Sequence, residues 1–536
     1  MAAKPAPDML KRAAMERPRA VPQARWLVAA LVAVAAGGLV AHSLVWNFVT
    51  DDAFISFVYS RNLADHGQLV FNLGERVEGY TNFSWTVLLA LLYKAGLAPE
   101  LMSRVLGTAA GAATFWVTAR MSRRLGDGAW SVWDALPAFL LAAVPGYACW
   151  SSGGLETQLF TLLSTLGFAA YLDELSDGKA RLGGGVAFGL AALTRPEGLL
   201  FFALTCGHRG LERLLKPVKS RLWPRRDELV AIGVFLALVV PHLIWRRWYY
   251  GWWLPNTFYI KASGGAGTWS QGGYYLSRWA LQFHLWAIPV LMLGGFWRGV
   301  PRRAVGYFVL VATVFCVYVA SVGGDFMGLF RFMMPILPIA VVMATVSLRR
   351  ILDGLPAFSQ LGIVVCLLSS HIAHAVSVDK ASLVIGADRG IDSPGFLRWY
   401  TADRAAIGKW FGRIAKPDDF AAVGGAGAQV WYSGIPSLDC FGLSDSYIAH
   451  KVVAGSSRPG HQKYAPLEYQ LQRRPTIITS AYYRIQNTPY IPSPAEQADW
   501  ERRGYHYVNV EVPGLSQPWY AFLLRNDRTV DAVREP

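Results

Sequence analysis

Residues 50–67, TDDAFISFVYSRNLADHG, come just after the first long apolar run of the chain, residues 26–48. A run of about 20 apolar residues is long enough to cross a bilayer as a helix. Carboxylates at a membrane boundary are costly unless they face water, a partner or a cavity. The adjacent acids Asp51 and Asp52 therefore occupy a position that requires a specific role.

The composition of the whole chain is that of a membrane protein. Of 536 residues, 53% are hydrophobic and 16% are charged, and the mean hydropathy is +0.28. Such a chain is too apolar for a soluble protein of this size. The net charge of +15 comes from basic residues between apolar runs, so we expect contact with membrane lipids and no nucleic acid partner. The five cysteines show no CxxC spacing, which argues against disulfide and zinc frameworks.

Charge and hydropathy together predict a multi-pass topology. Lys and Arg in short loops mark the cytoplasmic side, and the basic N-terminus with the apolar run after it is typical of an uncleaved signal anchor. About eleven spans result, and the short run 83–97 is assigned to the outer interface. The predicted spans are 26–48, 101–120, 132–149, 157–173, 182–194, 198–212, 229–246, 278–297, 304–322, 332–348 and 355–375.

The sequence therefore predicts a polytopic α-helical membrane protein with a soluble C-terminal domain. We divide it into a basic cytoplasmic segment 1–25, a transmembrane domain 26–375 with an external loop 49–100, and an extracytoplasmic α/β domain 376–536. Residues 419–445 have the pattern of a strand, a Gly-rich turn, a helix and a second strand. The GGAG turn inside this stretch lacks a full GxGxxG and is weak evidence for a nucleotide. Further strands are expected in 473–480, 506–512 and 519–526.

Three interpretations of the acid pair remain open. In the first interpretation the acids serve simply to cap a helix, with Asp51 as N-cap and Asp52 in the first turn. They could serve cation or proton coupling in a transporter, although transporter carboxylates usually lie near the bilayer midplane. The third interpretation is a catalytic base that deprotonates an acceptor hydroxyl as it attacks a sugar. If the sugar is carried on a lipid phosphate, the leaving group needs cations rather than a general acid.

Several external motifs resemble those of a known enzyme class. They are DDAFISFVYSRNLADHGQLVFNLGERVEGYTNFSW at 51–85, WSSGGLET at 150–157, LTRPEG at 193–198, YYGWWLPNTFYIK at 249–261, GGDFMGLFRFMMPILP at 323–338, WYSGIPSLDCFGLSDSYIAH at 431–450 and GHQK at 460–463. The layout resembles the GT-C class of membrane glycosyltransferases, which use polyprenyl-phosphate sugars and carry an acidic motif in the first external loop. The closer resemblance is to the mycobacterial AftB-like terminal arabinofuranosyltransferase family.

This resemblance implies an activity, and each part of it is an expectation. A sugar, for which D-arabinofuranose is the best candidate, moves with inversion from a polyprenyl-monophosphate donor to a cell-envelope glycan or glycoconjugate. The reaction takes place on the outer face of the bacterial inner (plasma) membrane. Asp51 matches the catalytic acid of the loop, with Asp52 as its partner. The resemblance implies no required cofactor, although a pair of carboxylates can hold Mg²⁺.

Sidedness and charge supply further candidate residues. The expected donor-phosphate ligands are Arg331, Arg195, Lys261 and Arg61. The expected sugar- or acceptor-binding residues are Glu78, Tyr80, Asn82, Glu156, Asn256 and Trp253. Several of them have a structural alternative: helix capping for Glu156 and for the EGYTN turn at 78–82, an interfacial aromatic belt for Trp253, a structural pair with Glu197 for Arg195, and snorkelling for Arg331. A lipid-linked-sugar transporter or flippase and a non-catalytic envelope scaffold remain competing functions.

Overall fold

Helices form most of the described residues up to Ser382 in the computed structural model. The structure describes residues 22–215, 223–261, 266–283, 301–456, 458, 460–479 and 484–530, so the basic segment 1–21 and most of the predicted span 278–297 lie outside the described residues. The helices of this part are Pro22–Trp46, Asp51–His66, Phe83–Lys94, Pro99–Leu125, Leu136–Ala142, Pro145–Ser152, Thr157–Asp177, Leu182–Thr194, Glu197–Leu214, Arg226–Tyr250, Asn256–Lys261, Ala266–Gln282, Arg302–Ser321, Leu337–Ile351 and Ala357–Ser382.

Among the described helices, five are long and apolar enough to cross a membrane, and a bent pair would make six. Helix length and composition alone do not establish the predicted number of about eleven spans. Leu182–Thr194, for example, forms at the predicted position but has only 13 residues. The five helices are Gln23–Trp46, Arg226–Tyr250, Arg302–Ser321, Arg331–Ile351 and Ala357–Ser382.

The predicted span 132–149 is broken in the structure. Val132–Ala142 and Pro145–Ser152 meet at an angle of 70°. Val144 has an extended backbone and Pro145 opens the second helix. Proline lacks the N–H that would continue the first helix and disfavours a helical conformation in the residue before it, which explains the break.

The acid pair begins the helix Asp51–His66, which lies between the helical bundle and the C-terminal part. Thr50 occupies the N-cap position, and Asp51 and Asp52 are both in the first turn. The expectation that Asp51 is the N-cap is therefore wrong by one residue. Two apolar rows of this helix are buried, because Phe54 and Phe57 join the core of the bundle while Ile55, Val58 and Tyr59 join a core shared with the C-terminal part.

The C-terminal part is a mixed sheet with helices around it. Its strands are β1 Ala387–Asp388, β2 Ile391–Asp392, β3 Ala421–Val423, β4 Ser437–Asp439, β5 Ile477–Ile478, β6 Arg484–Gln486, β7 Tyr505–Glu511 and β8 Trp519–Arg525. In the main sheet, β3 pairs in parallel with β4 and β5, and β8 pairs antiparallel with β5, β6 and β7. The strand–turn–helix–strand prediction for 419–445 and the three further strand predictions are confirmed. The helices are Pro394–Ile414, Ala428–Ser433, Ser446–Lys451, Leu467–Gln472 and Pro494–Arg502.

The GGAG turn brings the C-terminal part directly onto the acid pair. A Cβ on Gly427 would lie 2.0 Å from the carbonyl oxygen of Asp51 and 2.6 Å from its Cγ. Only glycine allows so close an approach of two backbones. The turn therefore positions the C-terminal part against Asp51.

Candidate active site

Three adjoining cavities lie at and beside the acid pair. The outer cavity, about 230 Å³, lies between Asp51, Asp52 and the C-terminal part. The central cavity, about 90 Å³, also has Asp52 in its wall. The apolar cavity, about 280 Å³, shares Arg195 with the central cavity and Phe326 with the outer one. Each cavity therefore adjoins the other two, and only the outer and central cavities are lined by the acid pair.

Asp51 is buried and is held by the C-terminal part. Its Oδ1 accepts a hydrogen bond of 2.8 Å from the backbone N–H of Ala428. Burial raises the pKa of the Asp51 carboxyl, while the backbone N–H groups of Ala428 and Gly427 and the nearby guanidinium of Arg404 oppose that rise. A carboxylate with a raised pKa is better able to accept a proton.

Three of the expected residues meet with Glu197 in one hydrogen-bond network beside Asp52. Asn82 donates to Oε2 of Glu156 at 2.9 Å. Arg195 donates to Oε1 of Glu156 at 2.7 Å and to Oε1 of Glu197 at 2.8 Å. Neither Asn82 nor Glu156 makes a side-chain capping bond to its own helix, so the capping alternative is not observed. The network lies in the wall of the central cavity.

Arg331 also lines the central cavity. It is buried, with Nε 2.7 Å from Oδ2 of Asp325. Its guanidinium also lies over the rings of Trp150, at 5.7 Å, and Phe332, at 5.3 Å. Such stacking fixes the planar group. Arg331 is therefore a rigid part of the cavity wall rather than a side chain that extends to an interface.

Three other expected residues have mainly structural contacts. Glu78 forms a buried ion pair with Arg246, with 2.8 Å between Oε2 and Nε, and burial raises its pKa to about 7. The Tyr80 hydroxyl lies 3.1 Å from the hydroxyl of Tyr250 inside the shared core. The Asn256 side chain donates to the backbone carbonyls of Gly442, Leu443 and Asp445, at 2.9 to 3.0 Å.

Two further candidates, Arg61 and Trp253, do not line the three cavities. Arg61 donates to the carbonyl of Trp431 at 2.9 Å and lines a separate cavity of about 500 Å³. Trp253 is exposed, which agrees with the aromatic-belt alternative. The side chain of Lys261 lies outside the described part of the structure.

Sequence reasoning missed several residues that line the site. Arg246 and His242 lie in the apolar cavity, on a helix that the sequence marks only as a span. Asp392, Arg458 and Asp439 line the outer cavity. Their positions in the fold depend on the close approach of the C-terminal part, for which the only local signal was the GGAG turn.

Within the described ranges, no group of three or more His, Cys, Asp or Glu residues is arranged to hold a metal ion. Glu156 of the central cavity is instead engaged by Arg195 and by Asn82. The absence of a required cofactor remains a prediction.

Solved structures with a similar fold include ArnT from Cupriavidus metallidurans bound to undecaprenyl phosphate. The TM-score is 0.59 at 16% identity, over 95% of this chain and 99% of ArnT. The apo oligosaccharyltransferase of Archaeoglobus fulgidus gives a TM-score of 0.54 at 9% identity, over 80% of this chain and 65% of that one. The chain has the GT-C glycosyltransferase fold. The GT-C architecture that the motif layout predicts is thereby confirmed.

Curated relatives agree with the closer resemblance. The chain is 30% identical over 289 residues to a terminal β-(1→2)-arabinofuranosyltransferase of Mycobacterium tuberculosis, covering 50% of this chain and 42% of that protein. It is 25% identical over 374 residues to the protein of the same name from Corynebacterium glutamicum, covering 59% of this chain and 51% of that protein. The chain thus spans about half the length of the curated relatives it matches. A family model described as a domain of unknown function (DUF8728) matches residues 396–523.

Proposed function

We propose that the chain is a membrane glycosyltransferase that moves a sugar from a polyprenyl-monophosphate donor to a cell-envelope glycan. D-Arabinofuranose is the proposed sugar because both curated relatives are named arabinofuranosyltransferases. One observation carries the proposal. The acid pair lies in the wall of one of three adjoining cavities, and Arg195 and Arg331 lie together in the wall of the central one, next to a cavity with many apolar side chains. The proposed location is the outer face of the bacterial inner membrane.

The apolar cavity suits the lipid end of the donor. Its walls are mainly Leu, Val, Pro and Phe side chains from helices that also present exposed apolar residues, such as Leu199 and Phe258. Arg195 and Arg246 lie in the same walls. Guanidinium groups bind phosphate oxygens through paired N–H donors. A lipid phosphate can therefore place its chain among the apolar side chains and its phosphate near Arg195.

The reaction then takes place where the outer and central cavities meet, because Asp51 lines the outer cavity and Asp52 lines both. The acceptor hydroxyl attacks the anomeric carbon, and its proton passes to the carboxylate of Asp51. A new bond forms between that carbon and the acceptor oxygen while the bond to the phosphate oxygen breaks on the opposite face, which inverts the configuration. The leaving phosphate keeps the electron pair of the broken bond, and Arg195 and Arg331 stabilise its charge. Asp52, at the junction, is the proposed partner that orients the donor sugar.

The competing functions have less support in the structure. A transporter uses ionisable groups within its spans near the midplane, whereas the acid pair begins a helix that is not among the candidate spans. A binding scaffold has no need for buried carboxylates and guanidiniums that converge on one cavity. ArnT, which has the same fold, has been solved with undecaprenyl phosphate, and this supports a lipid-phosphate donor.

The test is transfer by the purified full-length protein from synthetic polyprenyl-phosphate donors. We expect transfer of arabinofuranose to a short arabinofuranosyl glycoside, with an anomeric configuration opposite to that of the donor by NMR. We expect EDTA to leave the rate unchanged. If the protein transfers a different pentose or hexose and not arabinofuranose, the proposed sugar is wrong and the proposed enzyme class still holds. No transfer from any donor in the panel would contradict the proposal.

A further inference from the structure

We propose that the C-terminal domain, which matches a domain of unknown function, supplies the binding site for a single neutral sugar ring of the acceptor. The site is the outer cavity, and the inference rests on the proposed glycosyltransferase function. Most of its wall comes from the C-terminal part, including Tyr400, Asp439, Phe441 and His461. Its volume, about 230 Å³, is below the range of about 300–1,000 Å³ that is usual for ligand pockets. The outer cavity therefore holds one ring rather than a length of polymer.

The charges of the outer cavity favour an uncharged ligand that carries hydroxyls. Among the described residues, its wall holds four carboxylates and one guanidinium, that of Arg458. A phosphate group would be repelled there, since like charges at close range are unfavourable. The central cavity, by contrast, has two guanidiniums and two carboxylates in its wall. The two cavities are thus matched to different parts of the reaction: the donor phosphate lies near the arginines, and the acceptor lies among the carboxylates. The four carboxylates of the outer cavity are Asp51, Asp52, Asp392 and Asp439.

The ion pair of Arg458 and Asp392, called the polar pair below, lines the outer cavity together with the acid pair. Arg458 lies 2.6 Å from Oδ2 of Asp392 through one terminal nitrogen. The buried Nε of Arg458 has no hydrogen-bond partner among the residues that the structure describes. A buried donor without a partner is costly, and a sugar hydroxyl would satisfy it. A hydroxyl group both donates and accepts hydrogen bonds, so it can donate to the Asp392 carboxylate and accept from the Arg458 guanidinium.

The backbone around Asp392 is tied to the loop that carries Arg331. Asp392 donates its N–H to the carbonyl of Phe326 at 2.6 Å and accepts from the N–H of Gly328 at 2.8 Å. These bonds fix the polar pair relative to the donor side of the site. A ring bound at the pair therefore has a defined position with respect to the donor.

The outer cavity also has an aromatic wall. The His461 ring meets Phe326 edge to face with centroids 4.9 Å apart, and meets Phe441 in the same way at 4.7 Å. Phe326 belongs to the membrane part and the other two rings belong to the C-terminal part. Rigid aromatic surfaces supply contact area for a sugar ring at low entropic cost. The wall and the polar pair together would orient an acceptor hydroxyl toward Asp51.

The experiment uses full-length protein in nanodiscs and an octyl arabinofuranosyl disaccharide as the acceptor probe. We expect Arg458→Gln and Phe441→Ala each to raise the acceptor KM about tenfold or more, which is the loss expected for one hydrogen bond to a charged group or one ring contact. The donor KM should stay within about twofold. Arg458→Lys should restore part of the acceptor affinity. Arg398→Gln and Tyr447→Ala, at exposed positions of the same domain, are the matched controls.

Two results separate this inference from the proposed function. Saturation-transfer NMR measures binding of the same probe without donor, so binding by the wild type that Arg458→Gln abolishes would support the site even if no transfer occurred. Transfer by the wild type with an unchanged acceptor KM in both variants would overturn the site and leave the enzyme class standing. Equal rises of donor and acceptor KM would also overturn it, because they indicate a general distortion. Arg458 is partly exposed, so Arg458→Gln is a fair test even if Phe441→Ala fails to fold.

Discussion

Asp51 is subject to two opposing effects that together suit a base. Burial raises the pKa of its carboxyl, and the backbone N–H of Ala428 opposes that rise while fixing the group in place. A carboxylate that is held rigidly, and that gains from protonation, is well placed to receive a proton from a nearby hydroxyl. The same contact makes the geometry of Asp51 dependent on the C-terminal part.

Two arginines that sequence reasoning treated alike provide a matched pair for testing the donor site. Arg331 lines the central cavity, whereas Arg61 lines a separate one. We expect Arg331→Lys to raise the donor KM about tenfold, because lysine lacks the planar group that binds phosphate through two donors. Arg61→Lys should leave the donor KM unchanged. Steady-state kinetics at varied donor concentration measure both values, and an equal effect of the two changes would place the phosphate elsewhere.

A buried carboxyl outside the spans makes stability depend on pH. Burial raises the pKa of Asp439 from its ordinary value of 3.8 to about 6. Between these values the folded state holds a proton that the unfolded state has released, so the Asp439 contribution to the free energy of unfolding falls as pH rises. Asparagine does not titrate, and its single carboxamide oxygen keeps one of the two hydrogen bonds that the Asp439 oxygens accept from the N–H groups of Phe441 and Ser444. We therefore expect Asp439→Asn to gain stability relative to the wild type as pH rises from about 4 to about 6.

Thermal unfolding of the full-length protein and of Asp439→Asn at several pH values measures this difference. The unfolding midpoint of the variant minus that of the wild type should increase as pH rises through that window. A difference that stays constant with pH would show that the Asp439 carboxyl does not titrate in the way that its burial implies.

At the scale of elements, sequence patterns predicted where helices and strands lie along the chain better than they predicted which elements contact each other. The helix Leu182–Thr194 and the strands β7 and β8 form where hydropathy placed them, because their patterns are local. The 70° break at Pro145 was missed, since an uninterrupted apolar run hides a single proline. The pairing of Asn82, Glu156 and Arg195 joins three loops that are distant in sequence. Such a pairing depends on packing, so the motifs indicated only that these loops have a shared function.

The GGAG turn is the element-scale feature that is easiest to test. We expect Gly427→Ala to lower transfer at least about tenfold, because the added Cβ would overlap the backbone of Asp51 and displace it. Gly455→Ala is the control, since a Cβ at that position meets nothing within 4 Å. Transfer rates of the two variants and of the wild type decide the matter. Full activity in Gly427→Ala would mean that the close approach is not needed for catalysis.

The molecule as a whole is joined by a core that both parts share. Tyr59, Tyr80 and Tyr250 of the membrane part cluster with Val423 and Phe522 of the C-terminal sheet. No hydropathy pattern indicates this arrangement, since each part has the pattern of a separate domain. Composition and topology rules identify a membrane domain and a soluble domain, but contacts between them depend on surface shapes that no local pattern encodes.

One ring pair across this boundary allows a quantitative test. Phe54 and Tyr432 have ring centroids 5.6 Å apart. We expect Phe54→Leu and Tyr432→Leu to be non-additive, with a coupling of about 0.5–1.5 kcal/mol in a double-mutant cycle on unfolding free energy. Denaturant titration of the wild type, both single variants and the double variant gives the coupling. Additive losses would indicate that the two parts do not pack together at this position.

The most direct test of the acid pair is transfer of radiolabelled arabinofuranose from a synthetic polyprenyl-phosphate donor by the wild type and by Asp51→Asn. We expect transfer by the wild type, and a rate for Asp51→Asn that is lower by about 10²–10⁴-fold, the usual contribution of a general base. Asparagine can still accept from Ala428, so the unfolding midpoint should change little. Equal rates for the two proteins would contradict a catalytic role for Asp51.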